Sequence, residues 1–202
     1  MQHYFCYNKS VERKVLSMRN YVERAKDFVE QIFPYIDECT NPWDIRQHIL
    51  MFNADYTRSV KVGSGLSRVA LITSDYVVKF DYDPDEVEDI GGCENECELY
   101  FWAKKEGFEY LFAEITPYSY NNRLFYIMPR IRGIGSGRYY AEHYMNDAEK
   151  DFCRRYKISD LHTNNYGFRK GKVCVIDYAC HLSYESSYDM YYENQTNPDE
   201  DY

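Results

Sequence analysis

Three polar residues near the C-terminal end of the chain have the types and spacing that phosphoryl transfer requires. Asn165 follows Asp160 by five residues, and Asp177 ends an apolar, β-type run that follows a short hairpin. A carboxylate can accept the proton of an attacking hydroxyl, and amide and carboxylate oxygens are hard ligands for Mg²⁺. The pattern predicts Asp160 as the base, with Asn165 and Asp177 as ligands of a magnesium ion that bridges the phosphates of ATP.

A lysine and a glycine segment earlier in the chain could contribute to the same chemistry. Gly63-Ser64-Gly65 lies between two predicted strands, and Lys79 lies in the strand that follows them. Glycines in such a turn let the backbone approach phosphates, although hairpins also use glycine for positive φ without any ligand. Lys79 shares a strand face with Val77, and an ammonium group on that apolar face needs an anionic partner.

A carboxylate partner for Lys79 is available on the next predicted helix, from about Glu94 to Glu106. Glu96 lies one turn before Leu99, which belongs to the apolar face of that helix. Glu94 and Glu98 are competing partners, and an acidic face turned to solvent is the alternative to any pairing. The spacing favours Glu96 as the residue that fixes Lys79.

Two helices are predicted ahead of these motifs. Apolar residues from Val11 to Ile32 alternate spacings of four and three, which predicts one long amphipathic helix that ends at Pro34. Asn41 is a suitable N-cap, with Pro42 as the first residue of a second helix that runs through Phe52. We expect both helices to pack on the body of the protein. A short heptad seam for dimerisation is the alternative.

The remaining pattern alternates short strands with helices and predicts an α+β fold. A hairpin from Ile115 to Ile131, turning at Asn121-Asn122, precedes a glycine-containing linker. A helix from Tyr139 to Tyr156 is predicted to deliver the chain to Asp160, since Tyr140, Tyr144, Ala148 and Phe152 recur every four residues. Further strands are predicted at residues 60–62, 69–72 and 76–80.

Composition limits the classes of partner and compartment. A chain of 202 residues with 45% hydrophobic content can bury one core and a small addition. A net charge of −9 argues against nucleic-acid binding and favours basic or small-molecule partners. The sequence contains no long apolar run and no signal-like N-terminus, so we expect a cytoplasmic protein without a membrane partner. The seven cysteines lack zinc-ligand spacing and are expected to be reduced thiols.

The order of these motifs resembles the protein-kinase-like superfamily, which includes protein kinases, aminoglycoside phosphotransferases and choline kinases. Its five signatures are a glycine-rich loop, a strand lysine, a helix glutamate, a catalytic-loop Asp with Asn five residues on, and a metal-binding Asp. The corresponding residues here are Gly63 to Arg68, with Arg68 in place of the third glycine, Lys79, Glu96, Asp160 with Asn165, and Asp177 within Ile176-Asp177-Tyr178-Ala179.

This resemblance implies a two-lobed fold. It would have an N-terminal helical extension (residues 1–56), an antiparallel sheet lobe with a hinge (57–131) and a reduced helical lobe with an acidic tail (132–202). The resemblance also implies ATP and Mg²⁺ as cofactors and catalytic roles for Lys79, Glu96 and Asp160. Backbone groups of the hinge would bind adenine, and the glycine loop would cover the phosphates. These nucleotide-binding residues are Gly63, Ser64, Gly65, Leu66 and Ser67 in the loop and Met128, Arg130 and Ile131 in the hinge.

Departures from the family pattern leave the acceptor and the exact activity open. Asp160-Leu161-His162 is more similar to the small-molecule phosphotransferases than to protein kinases, so a protein or a small molecule could accept the phosphate. Only 25 residues follow Asp177, too few for the peptide-binding segment of protein kinases. A pseudokinase-type binding protein and an AMP transferase are the alternatives. The small size and the tyrosine-rich, acidic composition suggest a virus-encoded or mobile-element protein, with a closing helix and a disordered end predicted for residues 184–202.

Overall fold

The computed structural model describes residues 20–39, 41–56, 59–64, 68–81, 92–133, 139–158 and 160–178. These ranges contain four α-helices, one five-stranded antiparallel sheet and one two-stranded hairpin. The predicted α+β class is confirmed. The finer predictions, a two-lobed protein-kinase-like arrangement with the three boundaries given above, stay predictions.

Helix α1 (Tyr21–Ile36) begins at Asn20, whose side chain accepts a hydrogen bond from the backbone N–H of Val22. The prediction that Pro34 ends this helix is wrong, because Pro34 lies inside its last turn. Phe33 and Ile36 on either side of Pro34 are buried in the core, and this burial holds the last turn in place. The part of the predicted helix before residue 20 lies outside the described residues.

Helix α2 (Pro42–Tyr56) begins as the sequence predicts. The side chain of Asn41 accepts a hydrogen bond of 3.0 Å from the backbone N–H of Asp44, and Pro42 is the first helical residue. Ile45, Ile49 and Phe52 are spaced four and three residues apart and are buried, as expected of a helix that packs on the body of the protein.

The five-stranded sheet has the order β1-β2-β3-β5-β4, with every neighbouring pair antiparallel. Its turn at Asn121 and Asn122 has φ of 47° and 63°, which is the left-handed pair that a tight two-residue hairpin requires. The predicted hairpin is therefore confirmed. The strands are β1 (Lys61–Ser64), β2 (Arg68–Ile72), β3 (Tyr76–Asp81), β4 (Thr116–Tyr120) and β5 (Arg123–Pro129).

Alternation along these strands divides the sheet into two unlike faces. One face packs against α1 and α2 and is entirely apolar at its centre, with Val69, Leu71, Val78, Phe80, Phe125 and Ile127 buried there. The opposite face turns Tyr126 and Met128 towards a second core that includes Leu99 and Ala103 of helix α3 (Cys93–Glu106). Lys79 lies on this second face, because successive side chains of a strand point to opposite sides.

The predicted continuous helix from Tyr139 to Tyr156 is wrong. The segment forms a 3-10 turn (Ala141–Tyr144) and then helix α4 (Asp147–Arg155). Asn146 separates the two, because its side chain accepts from the N–H of Glu149 at 3.0 Å while the Glu149 carboxylate accepts from the N–H of Asn146 at 2.7 Å. This reciprocal capping box starts a new helix at that point.

The buried face of this segment also differs from the predicted one. Ala141, Met145 and Phe152 are buried, whereas Tyr140, Tyr144 and Ala148 of the expected stripe are exposed. Tyr140 and Tyr144 have helical spacing in the sequence but do not lie on one helix. The 3-10 turn and the new helix start change which positions of the segment face the core.

Strands β6 (Tyr166–Arg169) and β7 (Lys172–Val175) form the short hairpin that the sequence predicts between Asn165 and Asp177. Lys170 and Gly171 have positive φ and make its turn. No helix within the described ranges is both long and apolar enough to cross a membrane. The closing helix and acidic end predicted for residues 184–202 lie outside the described residues.

Candidate active site

Lys79 and Glu96 form a buried ion pair between β3 and α3. The Lys79 ammonium donates to both carboxylate oxygens of Glu96, at 2.8 and 2.9 Å, and the Glu96 side chain is 0% exposed. Glu96 is thus the partner that Lys79 takes, in preference to Glu94 or Glu98. Burial opposes the charged form of Lys79, but the attraction of Glu96 and then of Asp177 raises the pKa of Lys79 above its ordinary value.

The segment around Asp177 is tied to this ion pair by three contacts. The Lys79 ammonium donates to the Ile176 carbonyl at 3.0 Å and lies 3.6 Å from Asp177 Oδ1. The backbone N–H of Tyr178 donates to Glu96 Oε1 at 3.1 Å. Tyr178 is buried, and its hydroxyl donates to the Ala113 carbonyl at 2.9 Å, which anchors this end of the segment. Helix α3, strand β3 and the chain after β7 therefore meet at one point.

Arg68 is a second cation at the same point. Its Nη1 atom lies 3.3 Å from Asp177 Oδ1 and 3.5 Å from Glu96 Oε1. Burial opposes ionisation of Asp177, but Lys79 and then Arg68 hold the pKa of its carboxyl below its usual value. Asp177 is consequently ionised at neutral pH.

Asp160 and Asn165 form one hydrogen-bonded unit that adjoins Asp177. The Asn165 amide nitrogen donates to the Asp160 carbonyl at 2.8 Å and to its carboxylate at 2.9 Å. The Asn165 carbonyl accepts from the backbone N–H groups of Ile176 and Asp177, at 2.7 and 3.3 Å. His162 Nε2 lies 3.3 Å from Asp160 Oδ1. The Asp160 side chain is thus held in one orientation while remaining 68% exposed.

These groups border a cleft of about 320 Å³ beneath the glycine-containing end of the sheet. We use "the cleft" for this space. Of the predicted site residues that the structure describes, Glu96, Asp160 and Asn165 do not line it. Glu96 is connected to the cleft through Lys79, and Asp160 and Asn165 adjoin it through the backbone of Asp177. Its lining includes the predicted residues Gly63, Ser64, Lys79, Met128, Arg130, Ile131 and Asp177, together with Arg68, Ala70, Ile72, Val77 and Asn164.

The glycine segment is described only in part, because Gly65, Leu66 and Ser67 lie outside the described residues. Gly63 has no positive φ, since Gly107 and Gly171 are the described glycines that do. A Cβ at Gly63 would meet the Ile72 Cδ1 at 3.6 Å and the Ala70 Cβ at 3.7 Å, which are ordinary contacts. Turn geometry therefore does not require glycine at position 63, and its lack of a side chain leaves room in the cleft.

The segment predicted as the adenine-binding hinge offers few backbone donors. Pro129 has no N–H, and the N–H of Arg130 already donates to the Asp75 carbonyl at 2.9 Å. Met128 is paired with Val77 within the sheet. Of the four residues 128–131, only Ile131 has a backbone N–H that makes none of the described backbone hydrogen bonds, so it could donate to a ligand.

The donor set at Asp177 suits a magnesium ion that is shared with phosphates. The Asp177 carboxylate lines the cleft and is 40% exposed. The hydrogen bonds of the Asn165 amide to Asp160 use its nitrogen, which leaves the amide oxygen available to bind a metal ion. Within the described ranges, no group of three His, Cys, Asp or Glu side chains could hold a metal by itself. Mg²⁺ usually binds through one or two protein oxygens and substrate phosphates, so the residues fit that ion.

A larger cavity, of about 780 Å³, lies elsewhere, next to Tyr139, His143, Lys150 and Lys157. None of the buried polar side chains among the described residues lines this cavity. The smaller cleft is lined by the buried Lys79, the partly buried Arg68 and the carboxylate of Asp177, and charged groups in such surroundings are common at functional sites. The cleft is therefore the candidate active site.

Two residues of the site, Arg68 and Tyr178, are not among those that the sequence motifs predict. Arg68 departs from the glycine pattern, but its alternation with Val69 and Leu71 is a signal that places it on the face of Lys79. Tyr178 follows Asp177 and has no motif role of its own. No sequence signal indicated that its backbone N–H would bind Glu96, since that contact joins residues 82 positions apart.

Comparison with known proteins gives little beyond this geometry. No protein-family model and no curated protein matches the sequence. Among solved structures, the chain is similar to the Lpg2603 kinase of Legionella pneumophila bound to IP6, with a TM-score of 0.37 and 14% identity. The similarity covers 58% of this chain and 46% of that chain, so less than half of the kinase is matched. At this identity and TM-score the similarity does not identify an activity of this chain.

Proposed function

We propose that this protein is an ATP-dependent phosphotransferase of the protein-kinase-like type that transfers the γ-phosphate to a hydroxyl group. The observation that carries the proposal is the Lys79 ammonium. It is buried in the cleft between Glu96 and Asp177 and also bonds the Ile176 carbonyl. A fixed cation beside an ionised carboxylate at the rim of an apolar cleft is the arrangement that orients a metal-bound polyphosphate.

Each residue of the site has a distinct role in this proposal. Glu96 holds Lys79 in place, and Lys79 neutralises charge on the nucleotide phosphates. Asp177 and Asn165 would hold Mg²⁺, which when bound screens the phosphate oxygens from the incoming nucleophile. Asp160 is oriented by the Asn165 amide and receives the proton of the acceptor hydroxyl.

The apolar lining of the cleft is suited to a nucleobase. Ala70, Ile72, Val77 and Met128 present aliphatic surface, and Ile131 supplies a backbone donor at the same end. Flat aromatic ligands commonly bind between aliphatic side chains with one or two polar contacts. The cofactors proposed are therefore ATP and Mg²⁺, and the acceptor is a hydroxyl group of a protein or of a small molecule.

A nucleotide-binding protein without catalysis is the second candidate, and one observation favours it. Asp160 does not line the cleft, and its carboxylate is already bonded to Asn165 and adjoins His162. A protein of this kind would bind ATP through Lys79 and regulate a partner. The two candidates differ in what happens to the γ-phosphate.

The decisive experiment follows the label from ATP. The purified protein is incubated with an extract of its expression host and Mg²⁺, using ATP labelled at the γ- or the α-phosphate. Transfer of the γ-label to an acceptor supports the proposal, whereas transfer of the α-label alone indicates AMP transfer. Binding of ATP without transfer of either label supports the binding protein, and absence of ATP binding overturns both.

Substitution of the proposed base adds a matched test. Asp160→Ala should reduce γ-phosphate transfer by about 10²- to 10⁴-fold and leave ATP binding unchanged, because a general base acts on the acceptor. Asp151→Ala is the control, since Asp151 is an exposed carboxylate of α4 whose described partners are Arg154 and Arg155. Undiminished transfer by Asp160→Ala would show that the base is a different group.

A further inference from the structure

Strand geometry directs Arg68 into the cleft. It is the first residue of β2 and lies opposite Asp81 of β3, two positions along from the pairing of Ala70 with Lys79. Val69 and Leu71 are buried in the core with α1 and α2, so Arg68 and Ala70 face the other way, towards Lys79. The cleft therefore contains two cations that come from adjacent strands.

The Arg68 guanidinium has a hydrogen-bonding group without an acceptor. Its Nη1 atom is buried and makes no hydrogen bond, although two carboxylate oxygens lie 3.3 and 3.5 Å away. Glu96 cannot turn to it, because its oxygens already accept from Lys79 and from the N–H of Tyr178. Nη1 is therefore held by ion pairing alone, while the Arg68 side chain is 22% exposed and lines the cleft, where a hydrogen-bond acceptor on a ligand would give its N–H groups a partner.

The charges of the cleft show what kind of acceptor would fit. Arg68, Lys79 and Arg130 line the cleft with three positive charges, and Asp177 lines it with one negative charge, while Glu96 holds Lys79 without lining the cleft. Burial opposes the charged form of Arg68, but the attraction of Asp177 and then of Glu96 raises its pKa, so the guanidinium stays protonated. A guanidinium presents several N–H groups in a planar fork, which matches the oxygens of a phosphate.

We propose that Arg68 binds the phosphate chain of the nucleotide directly and shares this task with Lys79. This inference rests on the proposed function and deepens it. A glycine at this position would offer only backbone contacts, whereas Arg68 supplies a side-chain ligand from the strand itself. The nucleotide affinity should therefore depend strongly on the number of phosphates, even without a divalent metal.

A different role for Arg68 would leave another signature. If Arg68 only neutralised Asp177, it would compete with Mg²⁺ for that carboxylate. Its removal would then strengthen Mg²⁺-dependent nucleotide binding and would not change binding in the presence of EDTA. Affinity measured with and without magnesium therefore distinguishes a phosphate ligand from a counterion.

The experiment measures the dissociation constants of ATP and of adenosine for the full chain by isothermal titration calorimetry, once in the presence of EDTA and once in the presence of Mg²⁺. Arg68→Gln should weaken ATP binding in EDTA by about tenfold to a hundredfold, because it removes a charge-assisted hydrogen bond. Its affinity for adenosine should equal that of the wild type, which also shows that the variant is folded. Arg68→Lys keeps the positive charge but not the planar guanidinium, so its ATP affinity in EDTA should lie between those of the wild type and of Arg68→Gln.

Arg154→Gln is the matched control, since Arg154 is an exposed arginine of α4 paired with Asp151. It should bind ATP and adenosine as the wild type does. The inference is overturned if Arg68→Gln binds ATP in EDTA as tightly as the wild type, or more tightly in Mg²⁺. A wild-type protein that does not bind ATP at all would overturn the proposed function itself, whereas ATP binding that is unaffected by Arg68→Gln would overturn this inference alone.

Discussion

Lys79 and Phe80 are consecutive residues of β3, yet they belong to opposite faces of one sheet. The face of Phe80 is closed by α1 and α2, its buried side chains are apolar, and the Arg123 guanidinium lies 4.7 Å from the centre of the Phe80 ring. The face of Lys79 contains two cations, two carboxylates and an open cleft. The apolar face supplies free energy of folding through burial, whereas the cleft face has polar groups that lower stability unless each is paired.

This division separates the effects of mutation into two kinds. A change on the apolar face should alter stability and leave ligand affinity intact in the folded protein. A change on the cleft face should alter ligand affinity, and should alter stability only where it leaves a buried charge without its partner.

The largest effect is expected from Lys79→Met. Transfer of phosphate should fall on the order of 10²- to 10³-fold, because a preorganised group aimed at the phosphates is lost. Stability should also fall by about 3–5 kcal/mol, since Glu96 would remain buried without its cation. Radiolabel transfer and urea denaturation measure the two effects.

A second substitution separates stability from activity at this pair. Lys79→Met combined with Glu96→Gln should recover most of the lost stability, because the neutral amide can still accept from the N–H of Tyr178. Activity should not return. If the double variant is no more stable than Lys79→Met, the uncompensated carboxylate is not the cause of the instability.

Phe80→Ala tests the opposite face at the adjacent position. Phe80 is 0% exposed and contacts the Phe125 ring at a centroid distance of 5.5 Å. The lost burial and the remaining cavity should lower stability by about 3–5 kcal/mol. ATP affinity, measured well below the unfolding temperature, should stay within about twofold of the wild type, since no atom of Phe80 borders the cleft. A large loss of affinity would show that the two faces are coupled.

Gly63 and Gly167 both lack a side chain, but for different reasons: Gly63 leaves room in the cleft, whereas Gly167 lets another backbone segment pack closely. A Cβ at Gly167 would lie 2.3 Å from the Arg132 carbonyl oxygen, so Gly167→Ala must displace the backbone that connects β5 to the 3-10 turn. We expect this variant to lose about 1–3 kcal/mol of stability. Gly63→Ala meets only ordinary contacts and should fold normally while narrowing the cleft. Thermal melting of both variants is the measurement, and equal melting temperatures would contradict this expectation.

The smallest effect concerns a glutamate of α3 that lies away from the cleft. Glu106 accepts from Arg155 at 2.7 Å and from the Tyr156 hydroxyl at 2.6 Å. Partial burial opposes its ionisation, but these two hydrogen bonds hold the pKa of Glu106 below its ordinary 4.5. The stabilisation it provides is therefore complete above about pH 4.5 and is lost as the pH falls through the depressed pKa.

Glu106→Gln should therefore lower stability at pH 7 by about 0.2–1 kcal/mol and reduce the loss of stability below pH 4.5. Urea denaturation between pH 3 and pH 7 measures this difference. ATP binding should not change, in contrast to any substitution of Glu96 on the same helix. If the free energy of unfolding of Glu106→Gln falls below pH 4.5 as steeply as that of the wild type, Arg155 and Tyr156 do not stabilise the Glu106 carboxylate.

Local patterns predicted those parts of the fold that depend on near neighbours in sequence. Asn41 and Pro42 start α2 as predicted, and the predicted turn at Asn121-Asn122 has the backbone geometry that a short hairpin requires. The same reasoning was wrong at Pro34, where burial of the adjacent side chains maintains the helix. It was also wrong for the helix from Tyr139 to Tyr156, where the capping box of Asn146 begins a new one.

Lys79 could be selected from the sequence because an ammonium group on an apolar strand is costly to bury and needs an anionic partner. Strand periodicity fixed the side of the sheet to which Lys79 points, and it would have fixed Arg68 in the same way. The choice of Glu96 among three glutamates depended on the exact rotation of α3. The contacts of Tyr178 and Ile176 with that pair depended on how distant segments pack.

The sequence by itself determined which side chains could do chemistry and which face of each strand they occupy, because period and residue type are local properties. Only the tertiary structure decided that Lys79, Arg68 and Asp177 line one cleft, with Glu96 bound to Lys79 and Asp160 beside the cleft. The physical reason is that ion pairing in a buried site depends on distances of a few ångströms between segments far apart in the chain, and these distances follow from packing of the two cores.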